Sequence, residues 1–286
     1  MSDSEVGFHM PVSSSPPLTC HPVEQLPDPD KFELILEQVE TLIAKEAVEE
    51  LPLENLTLGY YFLVFLRSKK NSGKWELIHD LKEFNSSFLI QPPYLRLLTL
   101  GSVMRSLEPL NYMISLDLQD AYLHIPICTP DQRYFCLILV GCYFPWNVFP
   151  FGISSTLWLF TWVTQPIIHF LHKHRMYLDD GFCHKHLPAI LEEQRDFVIL
   201  LLRWLGWLVT LNKSDLVPTK SLQFLGAVLD TAQFRDFVPH ERMTKLQSPM
   251  TQMNGPLSLH QWQKLLGLLM SAQDLMVTGR LLLRPL

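Results

Sequence analysis

The residues of this sequence best suited to chemistry are acidic: Asp117, and about sixty positions later the adjacent pair Asp179 and Asp180. A lone carboxylate on one element and an acidic pair on another is the donor set that two-metal phosphoryl transfer requires. Two Mg2+ ions about 4 Å apart can lower the charge on an attacking 3′-oxygen and stabilise a departing pyrophosphate. Mg2+ takes hard oxygen ligands, few of them from protein, and leaves the remainder to substrate phosphates and water. Paired acids also tip ordinary solvated hairpins, so Asp179 and Asp180 by themselves leave both readings open. His172, His174, Cys183, His184 and His186 surround the pair. They make a zinc site a third reading, although their spacing matches no familiar zinc pattern.

Stepping out to the elements that must carry these side chains, residues 112–118 read as a strand. Asp117 sits near its end, opposed in direction to Leu116 and Leu118 because side chains alternate. Residues 177–182 read as a short hairpin with the acids at its tip. Upstream, Phe32, Ile35, Leu36, Val39, Leu42, Ile43 and Val48 fall at helical spacing and predict an amphipathic helix over 32–51. Strands over 60–66 and 75–81 flank the lysine-rich turn 68–74 as a β-hairpin. A helix is expected over 95–107, and a second hairpin, 135–140 with 143–149, around Gly141. Residues 154–171 predict a helix that Pro166 kinks or shortens. A long amphipathic helix over 187–205 should end at Gly206. A strand over 208–211, a turn holding Lys213 and one strand over 222–229 follow. From His240 onward the chain reads as helical, with one helix over 257–270. Helices packed on a mainly antiparallel sheet define the fold class as α+β.

Composition narrows the function classes. The chain has 286 residues, 48% of them hydrophobic, and a formal net charge of −6. That charge argues against tight autonomous binding to duplex, because Lys and Arg supply most non-specific affinity for phosphate backbones. Five cysteines with no CxxC pair suit a reduced, intracellular chain, in cytoplasm or nucleus. The acidic N-terminus has no basic-then-apolar secretory segment. Residues 134–171 lack any Asp, Glu, Lys or Arg. Pro145, Asn147, Pro150, Gly152, Gln165 and Pro166 break that run, however, so a buried hairpin and helix explain it better than a membrane span. The first thirty residues, rich in Ser, Pro and Asp, read as a disordered lead-in.

Several stretches then resemble one family. The run SLDLQDAYLHIPI, 115–127, resembles the first catalytic motif of retroelement reverse transcriptases. FPFGIS, 149–154, looks like the Pro-(Phe/Gln)-Gly motif beneath the templating base, and YLDD, 177–180, like the Tyr-X-Asp-Asp turn. Gly206 with Trp207, the NKS run 212–214 and the FLG run 224–226 follow in the order of the next two motifs. Residues 69–75 and 80–85 are similar to the fingertip hairpin. The resemblance covers about 32–286, is nearest in wording to DIRS-like and gypsy-type retrotransposon polymerases, and rests on five weak motifs in the right order. It implies a polymerase fingers-and-palm fold with an antiparallel palm sheet packed on helices. Residues 31–111 would form fingers with an N-terminal helix, 112–238 palm and remaining fingers, and 239–286 the start of a helical thumb or connection. It implies Asp117 and Asp179 as ligands of two Mg2+ ions, Mn2+ as a substitute, and Asp180 as an accessory acid. Lys213 would be an acid for the leaving pyrophosphate. Lys69 would reach the triphosphate, Tyr122 would lie under the sugar and exclude a 2′-hydroxyl, and Phe151 and Gly152 would pack against nucleotide and template. The implied partners are an RNA or DNA template–primer, dNTP, and further polyprotein domains such as ribonuclease H or recombinase.

Three departures count against activity and suggest a degenerate copy. Glu76 stands where the family usually places an Arg that clamps the triphosphate. At ~4 Å and an effective dielectric near 20, one charge pair is worth about 4 kcal/mol before desolvation. The segment before Tyr177 is short for a full β-strand, and a misplacement of about 1 Å can cost ~100-fold in rate. Thr156, Leu157 and Trp158 replace a small residue, a proline and a basic residue, and Trp158 is expected to overpack the helix start by about 1–3 kcal/mol. The competing reading is a polymerase-fold nucleic-acid-binding protein without catalysis; another is a fragment of a polyprotein that carries ribonuclease H.

Overall fold

The computed structural model describes residues 7–22, 29–68, 75–90, 99–139, 141–171, 175–177, 180–251 and 258–272. The helices and strands run α1 (Phe32–Ala44), β1 (Leu51–Pro52), β2 (Val64–Ser68), β3 (Trp75–His79), α2 (Lys82–Ser87), α3 (Leu100–Met104) and β4 (Tyr112–Asp117). They continue with α4 (Thr129–Gln132), β5 (Cys136–Leu139), β6 (Cys142–Pro145), α5 (Thr156–Phe170), β7 (Arg175–Tyr177) and β8 (Asp180–Lys185). The remainder is α6 (Pro188–Trp204), β9 (Ser221–Phe224), β10 (Ala227–Asp230), β11 (Arg235–Phe237), α7 (His240–Thr251) and α8 (Leu259–Ala272). They form two compact units: Met1–Leu95 with Asp120–Ile167, and Arg96–Gln119 with Ile168–Leu286.

In the first unit, α1 buries Ile35 and Val39 but stops at Ala44, short of the expected 32–51. Leu51 precedes Pro52, which disfavours helical backbone at that position. Glu46 turns left-handed at φ 56°, Ala47 and Val48 are buried, and Val48 bridges Trp146. Leu51 and Pro52 then pair with β6. The β2–β3 hairpin forms with Val64 opposite His79 and Arg67 opposite Glu76. Its 69–74 connection, including Lys69, lies outside the described residues.

The charge-free run folds as the β5–β6 hairpin and α5. Gly141 at φ 71° makes the turn, and Phe135, Leu137, Trp146, Phe149 and Phe160 are fully buried. Pro166 lies inside α5 without ending it. Among the described residues no helix is long and apolar enough to cross a membrane. Residues 7–22, for which composition predicts little burial, are tied down instead. Phe8 bridges Ile127, Val12 bridges Leu89 and Thr19 bridges Gly59, while Met10 is buried. Backbone pairing supplies what this stretch lacks in apolar side chains.

The second unit is layered around a sheet of order β4-β8-β7. On one face Met113 and Phe182 join Val103, Leu107, Leu222, Phe224, Ala227 and Leu229 in one core. Ile114 and Cys183 meet Leu191 of α6 in a second core. Helix α6 buries Leu191, Val198 and Leu202, starts with Pro188 and is followed by Gly206 at φ 85°, as the sequence predicts. The single strand expected over 222–229 is instead a hairpin, β9 and β10, with β11 alongside. Its two turn residues, Leu225 (φ 48°) and Gly226 (φ 72°), both have positive φ, as a two-residue type I′ connection requires. Leu in the first of these positions hides the turn, because no Asn-Gly or Asp-Gly signal marks it. The expected strand over 208–211 is reduced to a bridge between Leu118 and Val209.

Candidate active site

Asp117 is placed by two backbone bonds on the edge of β4 that faces away from β8. Leu116 and Leu118 are buried and Asp117 is half-buried. The Asp117 N–H donates to Ser214 Oγ at 3.0 Å, and the Asp117 carbonyl accepts from Thr210 N–H at 2.8 Å. Both groups therefore point away from β8, although Asp180 of β8 is the direct partner of Asp117 in the antiparallel register. That makes the two residues a non-hydrogen-bonded pair, the kind in which Cα atoms come closest, at about 4.5 Å. Leu116 pairs with Gly181 in the same register. A Cβ on Gly181 would lie 3.1 Å from Leu116 Cβ, tighter than ordinary van der Waals contact, so a side chain here would press on β4 beside Asp180.

The three-residue strand β7 pairs with β8, with Tyr177 opposite Asp180. The short segment before Tyr177 is thus long enough to bring residue 180 across from Asp117. Asp179 and the Asp180 side chain lie outside the described residues.

Beside Asp117, Ser115, Lys213, Asp215, Gln223 and the Leu225–Gly226 turn line a cavity of about 200 Å3. Lys213 is exposed, in a turn closed by its N–H on the Thr210 carbonyl. Ser214 Oγ also donates to that carbonyl, at 2.8 Å, so one hydroxyl joins the Lys213 turn to the Asp117 backbone. Among the described residues the Asp117 carboxylate has no ion-pair partner. A carboxylate at a strand end is a hard oxygen donor of the kind that fits a divalent cation such as Mg2+. Among those residues no group of three or more His, Cys, Asp or Glu converges on one point.

The zinc reading finds no support in the residues described. Cys183 is buried, which pushes its thiol up to about 12. His184 Nδ1 donates to Asn111 Oδ1 at 2.9 Å, and His186 is bonded between Asn111 and Glu108. His172 and His174 lie outside the described residues.

In the first unit, Tyr122 meets Phe151 edge-on at 5.7 Å and Phe160 at 5.4 Å. Phe151 is exposed, and Gly152 adopts φ 99°, a left-handed value that any side chain would strain. Two residues to which the sequence reading assigns no role hold this turn. Asn85 Nδ2 donates to the Gly152 carbonyl at 2.8 Å and Asn85 Oδ1 accepts from Ser154 N–H at 2.8 Å. His79 Nδ1 lies 3.3 Å from the Phe151 carbonyl. Asn85 lies in the 80–85 stretch that resembles the fingertip hairpin, whereas only its burial distinguishes His79. Glu76 is exposed and faces Arg67 across the hairpin register. Trp158 does not overpack the start of α5: it lies parallel to Trp162, with ring centres 6.3 Å apart, and Trp162 is largely exposed.

The foamy viral protease–reverse transcriptase solved in complex with ds DNA superposes on 98% of this chain with a TM-score of 0.79 at 18% identity. That likeness defines the fold as an α+β polymerase fold. Residues 68–229 match the family model described as Reverse transcriptase (RNA-dependent DNA polymerase), and the chain belongs to this family. The Gag-Pro-Pol polyprotein of bovine leukemia virus is 30% identical over 275 residues, 86% of this chain. The intracisternal A-particle Pol-related polyprotein of mouse is 27% identical over 206 residues, 64% of this chain. The chain spans 18% and 23% of the lengths of those two polyproteins and 46% of the solved foamy viral chain. Reverse transcriptases normally use a divalent metal.

Proposed function

We propose that this chain is the RNA-directed DNA polymerase portion of a retrotransposon polyprotein, of the DIRS-like or gypsy type, transferring nucleotides from dNTP to a primer 3′-OH. The reading rests on one observation above the others: Asp180 is the cross-strand partner of Asp117 in a chain of the reverse transcriptase family. Asp117, Asp179 and Asp180 would hold two Mg2+ ions, which when bound would lower the charge on the attacking and departing oxygens. Ser214 and Thr210 orient Asp117 through its backbone. Lys213 delivers a proton to the leaving pyrophosphate. Tyr122, Phe151, Gly152 and Lys69 bind the nucleotide, with Tyr122 excluding a 2′-hydroxyl. Residues 31–111 are the fingers with an N-terminal helix, 112–238 the palm and remaining fingers, and 239–286 the start of a helical thumb or connection. Template–primer, and ribonuclease H or recombinase domains of the same polyprotein, are the partners, in cytoplasm or nucleus.

Glu76 and the net charge of −6 favour a second reading, a nucleic-acid-binding relic without catalysis. Primer extension on poly(rA)–oligo(dT) with Mg2+ or Mn2+ separates the two. Under the first reading the chain extends the primer and Asp117→Asn lowers the rate at least ~1000-fold, a loss of about 4 kcal/mol of transition-state stabilisation. Retained binding to the hybrid with no extension selects the second.

A further inference from the structure

His79 is a buried histidine whose side chain makes a single hydrogen bond among the described residues. It ends β3 opposite Val64, is 8% exposed, and is boxed edge-on by Phe62 at 5.5 Å and Trp146 at 4.9 Å. A carbonyl only accepts, so the contact from Nδ1 to the Phe151 oxygen requires the proton on Nδ1. Nε2 is then a lone-pair acceptor, buried and without a hydrogen-bond partner among the described residues. Burial lowers the imidazole pKa to about 4, so the ring is neutral at physiological pH and its tautomer is set by the one bond it makes. A buried polar ring tolerates an unpaired nitrogen only at a cost, and an apolar side chain would avoid it. The imidazole is therefore informative: this position holds a donor for the Phe151 carbonyl where packing alone would favour Leu or Phe.

We propose that His79 is a positioning residue for nucleotide selection, its Nδ1–H setting the backbone of Phe151 and through it the Phe151–Tyr122 ring pair. Phe151 is exposed and its ring touches Tyr122 edge-on, so nothing in the side chain itself locks its angle. The backbone must do so. Asn85 fixes the following carbonyl, that of Gly152, and His79 fixes that of Phe151. Loss of the His79 bond frees the residue whose ring flanks Tyr122, and the face presented to the sugar widens. The inference rests on the nucleotide-binding role proposed above for Tyr122 and Phe151.

The test measures nucleotide binding without chemistry, on the full chain with a dideoxy-terminated primer–template and Mg2+, comparing dTTP with its ribose counterpart, ribothymidine triphosphate. The parent chain should prefer dTTP. His79→Leu should narrow that preference about fivefold, the size of one lost hydrogen bond. His79→Asn, which returns an N–H near the Nδ1 position, should restore it. Thermal unfolding of both variants reports folding separately, and a general loss of stability would weaken both nucleotides alike. Imidazole nitrogen chemical shifts should show His79 protonated on Nδ1 alone from pH 5 to 8. A parent that discriminates while His79→Leu discriminates equally well overturns this inference alone, as does a ring protonated on Nε2. A parent chain that binds neither nucleotide overturns the nucleotide-binding reading, and this inference with it.

Discussion

Asp117 and Phe151 are held in opposite ways. In the unit of 96–119 and 168–286, the register of β4 and β8 brings residue 180 opposite Asp117, and backbone groups of Asp117 bond Thr210 and Ser214. In the unit of 1–95 and 120–167, the Phe151–Ser154 turn hangs on two side chains, His79 and Asn85, about seventy residues away in sequence. A ladder of paired strands averages over many bonds, and a change at one surface position leaves its register intact. A turn held by two side chains fails when either is lost. The acidic site should therefore tolerate scattered surface substitutions, whereas the turn should be sensitive to a few named ones.

The harshest way to break that contrast is to attack the ladder at its tightest point. Gly181→Val puts a branched side chain where even a Cβ would lie 3.1 Å from Leu116 Cβ. Primer extension should fall about 100-fold, as for a ~1 Å displacement of a reacting group. Unfolding in urea should show a loss of about 1–3 kcal/mol. An active Gly181→Val enzyme would mean that the β4–β8 spacing does not set the site.

Acid should weaken the first unit selectively. His79 has a folded pKa of about 4, below the ordinary histidine value of about 6.5. The unfolded chain binds the proton first, so the stability from burying neutral His79 is complete above about pH 6.5 and is lost as pH falls toward 4. Between pH 7 and 5 this amounts to about 2 kcal/mol. His79→Leu should flatten that part of the stability profile, read by denaturant titration at several pH values.

Glu76→Arg addresses whether the first unit has lost triphosphate affinity at one position. The KM for dNTP should fall about tenfold, equivalent to ~1.4 kcal/mol. Arg67, the cross-strand partner, would then face a like charge, and the hairpin should lose about 0.5 kcal/mol. An unchanged KM would place Glu76 away from the triphosphate. The smallest effect is expected from Ser214→Ala, which removes the acceptor of the Asp117 N–H at a partly exposed site. It should cost about 1 kcal/mol in stability and a few-fold in apparent Mg2+ affinity during extension.

Much of this architecture is legible in residue order. Periodicity marks α1, β4, α5 and α6, because each buries a regular face, and Gly206 ends α6 where a left-handed residue is needed. Misreadings occur where no local signal exists. Leu225 occupies a positive-φ turn position normally taken by Asn, Asp or Gly, so β9 and β10 read as one strand. Helix α1 ends in a left-handed cap at Glu46, a residue type that gives no stop signal, and the chain beyond it pairs with β6. Residues 7–22 have loop composition but pair through isolated backbone bridges with Ile127, Leu89 and Gly59.

Sequence alone determined the residue types of the proposed chemistry, Asp117, Asp179, Asp180, Lys213, Tyr122 and Phe151, because motif order along the chain is a local property. Tertiary structure decided that Asp180 stands opposite Asp117 and that Ser214 caps the Asp117 N–H. It also decided that His79 holds the Phe151 carbonyl. Each of these depends on strand register or on contacts between residues roughly seventy or more positions apart, or sixty for the acidic pair, and such pairings leave no trace in local spacing.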